Sequence, residues 1–212
     1  MANPNYCTIY LVRHGESEGN LTQITQGQLD TALTQTGVIQ ARQLAQALKP
    51  IKFTAAYSSD LLRAYKTAEI IATERQLSVV TSKLIRERYF GRFQGRPWQY
   101  FQKQLDKLIQ NKQELQCSWG NLLSQIDHTV ETDDQIAARS LLFLRQIALA
   151  HLGQNILVVS HGGSIRAVLT HLGIFNEADF RLIRIENTAY IKLRSDGTDF
   201  FIDAIVGITK SS

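Results

Sequence analysis

Residues 7–16 have the sequence Cys-Thr-Ile-Tyr-Leu-Val-Arg-His-Gly-Glu, an apolar run that stops abruptly at charged and small residues. The apolar part, Cys7 to Val12, has the length and composition of a β-strand that is buried on both faces. A second run, Ile156 to Ser160, has the same character and is also followed by a histidine and a glycine. Because open α/β sheets bind ligands beyond the carboxyl ends of their strands, both His-Gly pairs are candidate site residues.

The chain between these two strands alternates between helical and extended patterns. A helical pattern ends at Pro50, and a short strand is predicted directly after it, from Phe53 to Ser58. Asp60 is a good candidate cap for a second helix, and a weaker strand is predicted from Ser78 to Thr81. This βαβα order predicts a largely parallel sheet that is covered by helices on both faces.

The later part of the chain contains a less regular stretch. Pro97 is expected to open a helix, and the polar residues 110–134 have no clear period, so we interpret them as a surface insertion or lid. A long helix is predicted from about Asp134 to Ala150. The runs Ala189–Arg194 and Phe200–Val206 flank a short loop that contains Asp-Gly, which is typical of a β-hairpin.

Together these elements predict an α/β fold: one three-layer α/β/α domain over residues 1–212, with a mostly parallel mixed sheet and a small inserted lid at about 96–133. Hydrophobic residues make up 44% of the chain and charged residues 20%. No apolar run approaches the roughly 18 residues that a membrane helix needs, and the first residues do not resemble a signal peptide. We therefore expect a cytoplasmic protein without a membrane span.

The charged residues and the cysteines exclude several classes of protein. Lysine and arginine number 23 against 19 acidic residues, a formal net charge of +4. Because these charges are dispersed rather than blocked, we expect no nucleic-acid partner, and a small anionic substrate fits the balance equally well. Cys7 and Cys117 lie far apart without a CxxC or Cys/His cluster, which argues against a disulfide framework and a structural zinc site.

The first His-Gly pair has a pattern that suits phosphate chemistry. A neutral imidazole attacks phosphorus well, and a neighbouring guanidinium binds phosphoryl oxygens with paired donors. An isolated Arg-His-Gly is more often a structural loop, so Arg13 and His14 alone are weak evidence. The hypothesis gains weight because matching polar residues follow other predicted strands, namely Arg63, Glu87 and His161.

The stretch Leu11–Ser17 resembles the signature of the histidine phosphatase superfamily, the phosphoglycerate mutase-like proteins. This superfamily includes phosphoglycerate mutases, fructose-2,6-bisphosphatases and many small phosphatases. Further matching blocks follow in the family's order over nearly the whole chain: Gln26-Gly27 with Leu33–Gly37, Ser58–Ala64 with Thr67-Ala68, Arg86–Gly91 with Gln94-Gly95, and Val159–Gly163. Each block is weak alone, but together they are distinctive.

The resemblance implies that His14 is the nucleophile and that Glu87 acts first as a general acid and then as a general base. Arg13, Arg63 and a protonated His161 would surround the phosphoryl oxygens, so neither a metal nor a cofactor is expected. Further positions expected to contact phosphate or substrate are Asn20, Gln26, Gly27, Arg88, Tyr89, Phe90 and Gly162. A solvated face for the arginine at 88 and aromatic packing for the next two residues are equal alternatives.

The predicted activity is that of a metal-independent phosphomonoesterase acting on a small phosphorylated metabolite, either a sugar phosphate or bisphosphate or a phosphoglycerate-type compound. The branch that it most resembles contains the fructose-2,6-bisphosphatase-like members. The alternative is a phosphoglycerate mutase, but the family's mutases usually carry asparagine where this chain has Gly163, and a longer tail than residues 207–212. A non-catalytic phospho-ligand binding protein is a third hypothesis. We expect a monomer or homodimer.

Overall fold

The computed structural model describes residues 5–110, 119–176 and 182–210, and the elements below lie within these ranges. The strands are β1 (Cys7–Arg13), β2 (Phe53–Ser59), β3 (Val79–Ser82), β4 (Asn155–Ser160), β5 (Ile183–Ser195) and β6 (Phe200–Lys210). The helices are α1 (Glu18–Leu21), α2 (Gln35–Ala47), α3 (Leu62–Thr73), α4 (Trp98–Gln110), α5 (Trp119–Ser124), α6 (Asp133–Ala150) and α7 (Gly162–His171). None of these described helices combines the length and the apolar character that a bilayer span requires.

The strands form one mixed sheet in the order β3-β2-β4-β1-β5-β6. β1, β2, β3 and β4 are parallel, whereas β5 pairs antiparallel with β1 and with β6. The β5–β6 pair is the predicted hairpin, with strands longer than the sequence pattern indicated. The α/β class and the mostly parallel mixed sheet are therefore confirmed.

The two central strands, β1 and β4, send alternate side chains into two separate apolar layers. On one face Ile9 and Val158 pack with α6 and α7. On the other face Val12 and Leu157 pack with α2 and α3. Because side chains alternate along a strand, a strand buried on both faces is apolar at consecutive positions, as these two are over residues 9–12 and 156–159. This arrangement is the predicted three-layer order.

The register between β1 and β4 determines where the candidate site residues leave the sheet. Arg13 at the end of β1 is opposite Ser160 at the end of β4. The two strands are parallel, so the residues that follow them, His14 and His161, leave the sheet at the same edge. The sequence predicted this juxtaposition from the two His-Gly pairs.

Helices α4 and α5 lie outside the two main layers and build a third apolar cluster of their own, formed by Phe93, Phe101, Leu105, Leu122, Leu123 and Val130. Within residues 110–134, which the sequence indicates as a polar surface insertion or lid, α5 buries two apolar side chains, Leu122 and Leu123. A single helical turn and a half is too short to give a recognisable period. Residues 111–118, with Cys117, lie outside the described residues, and the lid at about 96–133 stays a prediction.

The predicted cap of the second helix is also corrected. Helix α3 begins after Leu61, and the Leu62 N–H donates to Asp30 Oδ1 at 2.8 Å. Asp60 instead binds the Arg86 guanidinium with both carboxylate oxygens, at 2.6 Å each. A bidentate pair with a guanidinium is stronger than a single bond to a backbone amide, so the carboxylate takes the stronger partner.

Leu157 is fully buried in β4, the strand at the centre of the sheet. Replacement by alanine should lower the free energy of unfolding by about 3 kcal/mol, because it removes buried methyl groups and leaves a cavity. Urea unfolding followed by circular dichroism measures this loss. Leu142→Ala is the matched control, because that leucine is 48% exposed on α6 and should change stability little. Equal losses in the two variants would contradict the assigned core.

Candidate active site

A cavity of about 570 Å³ opens at the sheet edge where β1 and β4 end. Ten of the site residues that the sequence predicted line this cavity: Arg13, His14, Asn20, Gln26, Gly27, Arg63, Glu87, Arg88, Phe90 and Gly162. His161 lies behind this surface, with its ring centroid 5.1 Å from that of His14. Tyr89 is 40% exposed and does not line the cavity. The structure therefore brings nearly all of the predicted residues together.

His14 is buried, and its surroundings define its tautomer. Its Nδ1 lies 2.7 Å from the Gly15 carbonyl oxygen, which can only accept, so Nδ1 carries the proton. Nε2 is then left with its lone pair, to which Arg63 Nε donates at 3.3 Å. Burial, helped by Arg63 and Arg13, lowers the pKa of His14 well below its usual value. At neutral pH the ring is a neutral imidazole with a nucleophilic nitrogen.

The loop that carries this histidine is held from the opposite strand by residues that the sequence did not identify. The His14 carbonyl accepts from Asn187 Nδ2 at 3.1 Å and from Thr188 N at 3.3 Å. Thr188 has φ 60, in the left-handed region that a β-branched residue rarely adopts. It sits where the β5–β6 register shifts between Ile185 and Tyr190. The one available signal was the run Glu186-Asn187-Thr188, three consecutive polar residues that interrupt the alternation of apolar and polar residues along the strand.

Two arginine side chains face this region, and backbone carbonyls hold them. Arg63 is buried and donates to the Leu29 and Gly27 carbonyls at 2.8 and 2.7 Å. Burial lowers its pKa to about 10, so it stays charged at neutral pH. Arg13 donates to the Ile185 carbonyl, and its buried Nε has no hydrogen-bond partner among the described residues. Carbonyls orient a guanidinium without cancelling its charge, so both cations are available to an anion.

His161 is fully buried, and neither ring nitrogen has a hydrogen-bond partner within the described part of the chain. Burial lowers the pKa of His161 well below its usual value, and Arg63 and His14 lower it further. In these surroundings the neutral ring is the stable form, and a protonated His161 stays a prediction for the site with phosphate bound. A phosphate dianion bound beside the ring would raise its pKa.

Asn20 has the orientation that an anion contact needs. Its Oδ1 accepts from the Ser17 N–H at 3.1 Å, from the Ser17 hydroxyl at 3.0 Å and from Asn187 Nδ2 at 3.4 Å. Because the oxygen is engaged by three donors, the amide nitrogen is the group left to donate. The predicted role of Asn20 as a phosphate donor thus has a geometric basis.

Glu87 reaches the cavity from the loop that follows β3. Its Oε1 accepts from the Arg88 N–H at 2.7 Å, and its Oε2 accepts from the Gly163 N–H, in the first turn of α7, at 3.0 Å. A Cβ placed on Gly163 would lie only 2.2 Å from Glu87 Oε1. Position 163 must therefore be glycine if the carboxylate is to keep this place.

Some predicted contact residues have structural partners instead. The buried Arg88 guanidinium donates to the Glu131 carbonyl and forms an ion pair with Asp133, which favours a structural role. Gln26 Oε1 accepts from the Ser17 and Thr31 hydroxyls. The Gly27 carbonyl and this glutamine therefore shape the loop that holds the arginine at 63. Phe90 packs its ring edge-to-face on an aromatic side chain of α4 and forms part of the cavity wall.

The cavity has further lining residues that sequence reasoning missed. Arg166, one helical turn after Gly162 on α7, donates to the Ile183 carbonyl at 2.9 Å, and burial lowers its pKa to about 10. Its spacing from the second His-Gly pair was a usable signal. The outer wall consists of uncharged residues of α4 and of the loop after α1: Gln23, Ile24, Thr25, Trp98, Gln99 and Gln102. These lie in segments whose partners only the folded chain defines.

The arrangement can bind a tetrahedral anion and attack it. A neutral imidazole, the charged guanidinium groups of Arg13 and Arg63, an amide donor and a carboxylate share one cavity. Among the described residues, no group of three or more histidine, cysteine, aspartate or glutamate side chains is placed to hold a metal ion. Positive charge at this site is thus supplied by arginine side chains.

Comparisons with known proteins agree with this geometry. The model of the Histidine phosphatase superfamily (branch 1) matches residues 9–206. The metal-independent phosphoserine phosphatase of Arabidopsis thaliana is 36% identical over 166 residues, 76% of this chain and 66% of that protein. The phosphoglycerate mutase of Schizosaccharomyces pombe is 32% identical over 186 residues, 81% of each. The crystal structure of phosphoglycerate mutase from Bacillus anthracis str. Sterne has a TM-score of 0.84 and 27% identity, over 97% of this chain and 94% of that one.

The two buried imidazoles predict a specific dependence of stability on pH. Their pKa values are lowered in the folded protein, so above the usual value of 6.5 they leave stability unchanged. As the pH falls below 6.5, the unfolded chain binds protons that the folded chain excludes. The free energy of unfolding should then fall by about 1 kcal/mol per pH unit for each ring.

Urea unfolding at pH 7.5, 6.5 and 5.5 measures this slope. His14→Gln and His161→Gln should each flatten it, whereas the matched control His128→Gln, at an exposed position, should not. A free energy of unfolding that does not change between pH 7.5 and 5.5 would show that the folded protein protonates both rings as readily as the unfolded chain.

Proposed function

The chain belongs to the histidine phosphatase superfamily, and from this membership we propose that it is a metal-independent phosphomonoesterase that hydrolyses a small phosphorylated metabolite. The observation that carries the proposal is the neutral His14 ring, which lines the cavity and whose Nε2 accepts from Arg63, beside the Arg13 guanidinium. In the phosphorylated intermediate, the phosphoryl group would be bonded to this Nε2 atom. The cytoplasmic location and the monomeric or homodimeric state stay predictions.

In the first step, His14 Nε2 forms a bond to phosphorus while the bond from phosphorus to the leaving oxygen breaks. Arg63 Nε, now 3.3 Å from Nε2, would donate instead to a phosphoryl oxygen and so free the lone pair. Arg13 and the Asn20 amide would bind the other oxygens. Fixed donors of this kind stabilise the charge that spreads over the phosphoryl oxygens in the transition state.

Glu87 handles the proton in both steps. Protonated, it gives its proton to the leaving oxygen, so that the product departs as an alcohol. As a carboxylate it then takes a proton from the water that attacks phosphorus, and the bond between phosphorus and His14 Nε2 breaks. The step releases inorganic phosphate and restores both side chains. The two backbone N–H groups that bind Glu87 hold it at one place for both transfers.

Hydrolysis is favoured over mutase activity by the glycine at position 163, where the family's mutases usually carry asparagine. An asparagine there, as in the family's mutases, would place its Cβ 2.2 Å from Glu87 Oε1 and displace the carboxylate. The present position of Glu87 thus depends on the glycine that distinguished the two activities at the level of sequence. A purely non-catalytic binding protein would have no need to keep a nucleophile, an acid and the cations in one cavity.

The distribution of charge in the cavity favours a substrate with an uncharged leaving group. Arg166 lies within electrostatic range of Arg13 and Glu87, at the phosphate end, and the Arg88 charge is cancelled by Asp133. The outer wall among the described residues consists of amide side chains and apolar or aromatic surface. Amides suit hydroxyl groups, which both donate and accept, so a sugar phosphate fits better than a bisphosphate or a phosphoglycerate. The finer resemblance to fructose-2,6-bisphosphatase-like members stays a prediction.

His14 should carry phosphate during turnover. A reaction with p-nitrophenyl phosphate that is stopped in alkali after milliseconds should yield an acid-labile phosphate on the peptide that contains residue 14, detectable by mass spectrometry. His14→Ala should lose about 10³-fold or more of kcat/KM, because it removes the nucleophile. The absence of phosphopeptide together with substantial activity of this variant would contradict the mechanism.

Glu87→Gln should affect substrates according to their leaving groups. Hydrolysis of an alkyl phosphate such as glycerol phosphate should slow by about 10²-fold or more, because its alkoxide needs a proton. Hydrolysis of p-nitrophenyl phosphate, whose leaving group departs as a stable anion, should slow far less. The ratio of the two kcat/KM values measures the effect, because kcat/KM reports only the steps up to phosphoryl transfer to His14, in which the leaving group departs. Equal losses on both substrates would show that Glu87 only binds substrate or supports the fold.

A phosphate-release screen tests the substrate class. It compares sugar monophosphates, sugar bisphosphates, phosphoglycerates, phosphoserine and nucleotides, beside a mutase assay. We expect the highest kcat/KM for a sugar monophosphate, and Gln102→Leu should raise the KM for that sugar while leaving the KM for p-nitrophenyl phosphate unchanged. A preference for phosphoserine or for phosphoglycerates would overturn the assignment of an uncharged leaving group, and phosphoryl transfer between hydroxyls would favour the mutase.

A further inference from the structure

The short segment that carries Glu87 is anchored to an unusual degree. Each of its four consecutive carbonyl oxygens, from Leu84 to Glu87, accepts a hydrogen bond from a side chain. Ser160 binds the Ile85 carbonyl at 2.9 Å, and Ser164 binds the Arg86 carbonyl at 2.7 Å. Arg139 on α6 binds three of the four carbonyls, those of residues 84, 86 and 87, at 2.8, 2.7 and 3.0 Å.

The guanidinium of Arg139 has all five of its N–H donors engaged. Besides the three carbonyls, it binds the Glu131 carboxylate in two places, Nε to Oε1 at 2.8 Å and Nη2 to Oε2 at 2.9 Å. The two side chains are only 15% and 21% exposed. Five donors in one plane match five fixed acceptors here, which a lysine ammonium with three donors cannot reproduce.

Glu131 binds the backbone on the other side of Glu87, at Tyr89. Its Oε2 accepts from the Tyr89 N–H at 2.7 Å, and its backbone N–H donates to the Tyr89 carbonyl at 3.0 Å. The chain is thus held on both sides of Glu87, before it by Arg139 and after it by Glu131. Residues 86–90, between the short turns Lys83–Ile85 and Gly91–Phe93, form no helix or strand of their own, so side chains of neighbouring elements must hold them.

We propose that Arg139, oriented by Glu131, is a positioning residue that holds the Glu87 carboxyl at the leaving oxygen of the substrate. The inference rests on the proposed function, in which Glu87 is the acid and base. Arg139 does not line the cavity, so it acts through the loop rather than on the substrate. Without it the carbonyls at 84, 86 and 87 lose donors, and Glu131 becomes a half-buried carboxylate without its cation. The loop then relaxes, and Glu87 leaves the two N–H groups that aim it.

The test measures kcat and KM of Arg139→Lys and Arg139→Ala for glycerol phosphate and for p-nitrophenyl phosphate. We expect kcat/KM for glycerol phosphate, which reports only the steps up to phosphoryl transfer to His14, to fall by about 10²-fold in both variants, because general acid catalysis is worth about that much. The kcat/KM for p-nitrophenyl phosphate should change by less than about threefold, since its leaving group needs no acid and the arginines that bind phosphate stay in place. Millimolar guanidinium should restore part of the lost activity of Arg139→Ala.

Arg145→Ala is the matched control. Arg145 lies on the same helix, but it contacts the Phe200 ring and the Thr198 carbonyl instead of the loop that carries Glu87. The variant should therefore match the wild type with both substrates. In a Glu87→Gln background, Arg139→Lys should cause no further loss, because the group it positions has been removed. Near-ultraviolet circular dichroism confirms folding, and Glu131→Gln serves as a second variant with the same expected signature if the Arg139 variants do not fold.

Three outcomes overturn the proposal. Equal losses on both substrates, or a further loss in the Glu87→Gln background, would show a general structural role for Arg139. Unchanged kinetics of the folded variants would show no role at all. A failure of the proposed function itself would look different. In that case Glu87→Gln alone would lower the activity on glycerol phosphate and on p-nitrophenyl phosphate by the same factor. If Glu87→Gln separates them and Arg139→Lys does not, the positioning role alone is wrong.

Discussion

The site depends on the parallel pairing of β1 with β4. Both strands are buried on both faces, and a slip of one residue would turn every apolar side chain into the wrong layer, so the register is strongly specified. That register sets Arg13 opposite Ser160, and the rings of His14 and His161 consequently lie 5.1 Å apart. The other site residues come from loops and helices that pack around this edge. The catalytic geometry is therefore a consequence of core packing.

Five arginine side chains in and around the cavity fall into two groups, according to the groups that they bind. Arg13 and Arg63 donate to backbone carbonyls, which orient the guanidinium and leave its full charge for a ligand. Arg86, Arg88 and Arg139 bind the carboxylates of aspartate or glutamate, which cancel the charge and make them structural. The same residue type thus serves two purposes in neighbouring places. The partner, and not the residue type, decides which.

The same cationic surroundings keep His14, the proposed nucleophile, in its neutral form. A histidine in water is partly protonated near neutral pH, and a protonated ring cannot attack phosphorus. Burial next to two guanidinium groups lowers the pKa of His14 and keeps the ring neutral. These charges would also bind the phosphoryl oxygens of a substrate, so they activate the nucleophile and attract its target. The Glu87 carboxylate, the proposed acid and base, is held apart from this group by two backbone N–H donors, at a place that only glycine at 163 permits.

By itself the sequence determined the sheet class, the two central strands and the residues that meet at their ends. The spacing of apolar residues, and the polar and small residues that end each strand, can be read from consecutive positions of the chain. It did not determine contacts between distant segments. Asp60 was expected to cap a helix and instead binds Arg86, and α5 was too short to show a period. The protonation of His161, the anchoring by Arg139 and the strained Thr188 depend on burial and on partners more than fifty residues away or on another strand. Only the tertiary structure decides these, because desolvation and hydrogen-bond geometry do not exist before the chain is folded.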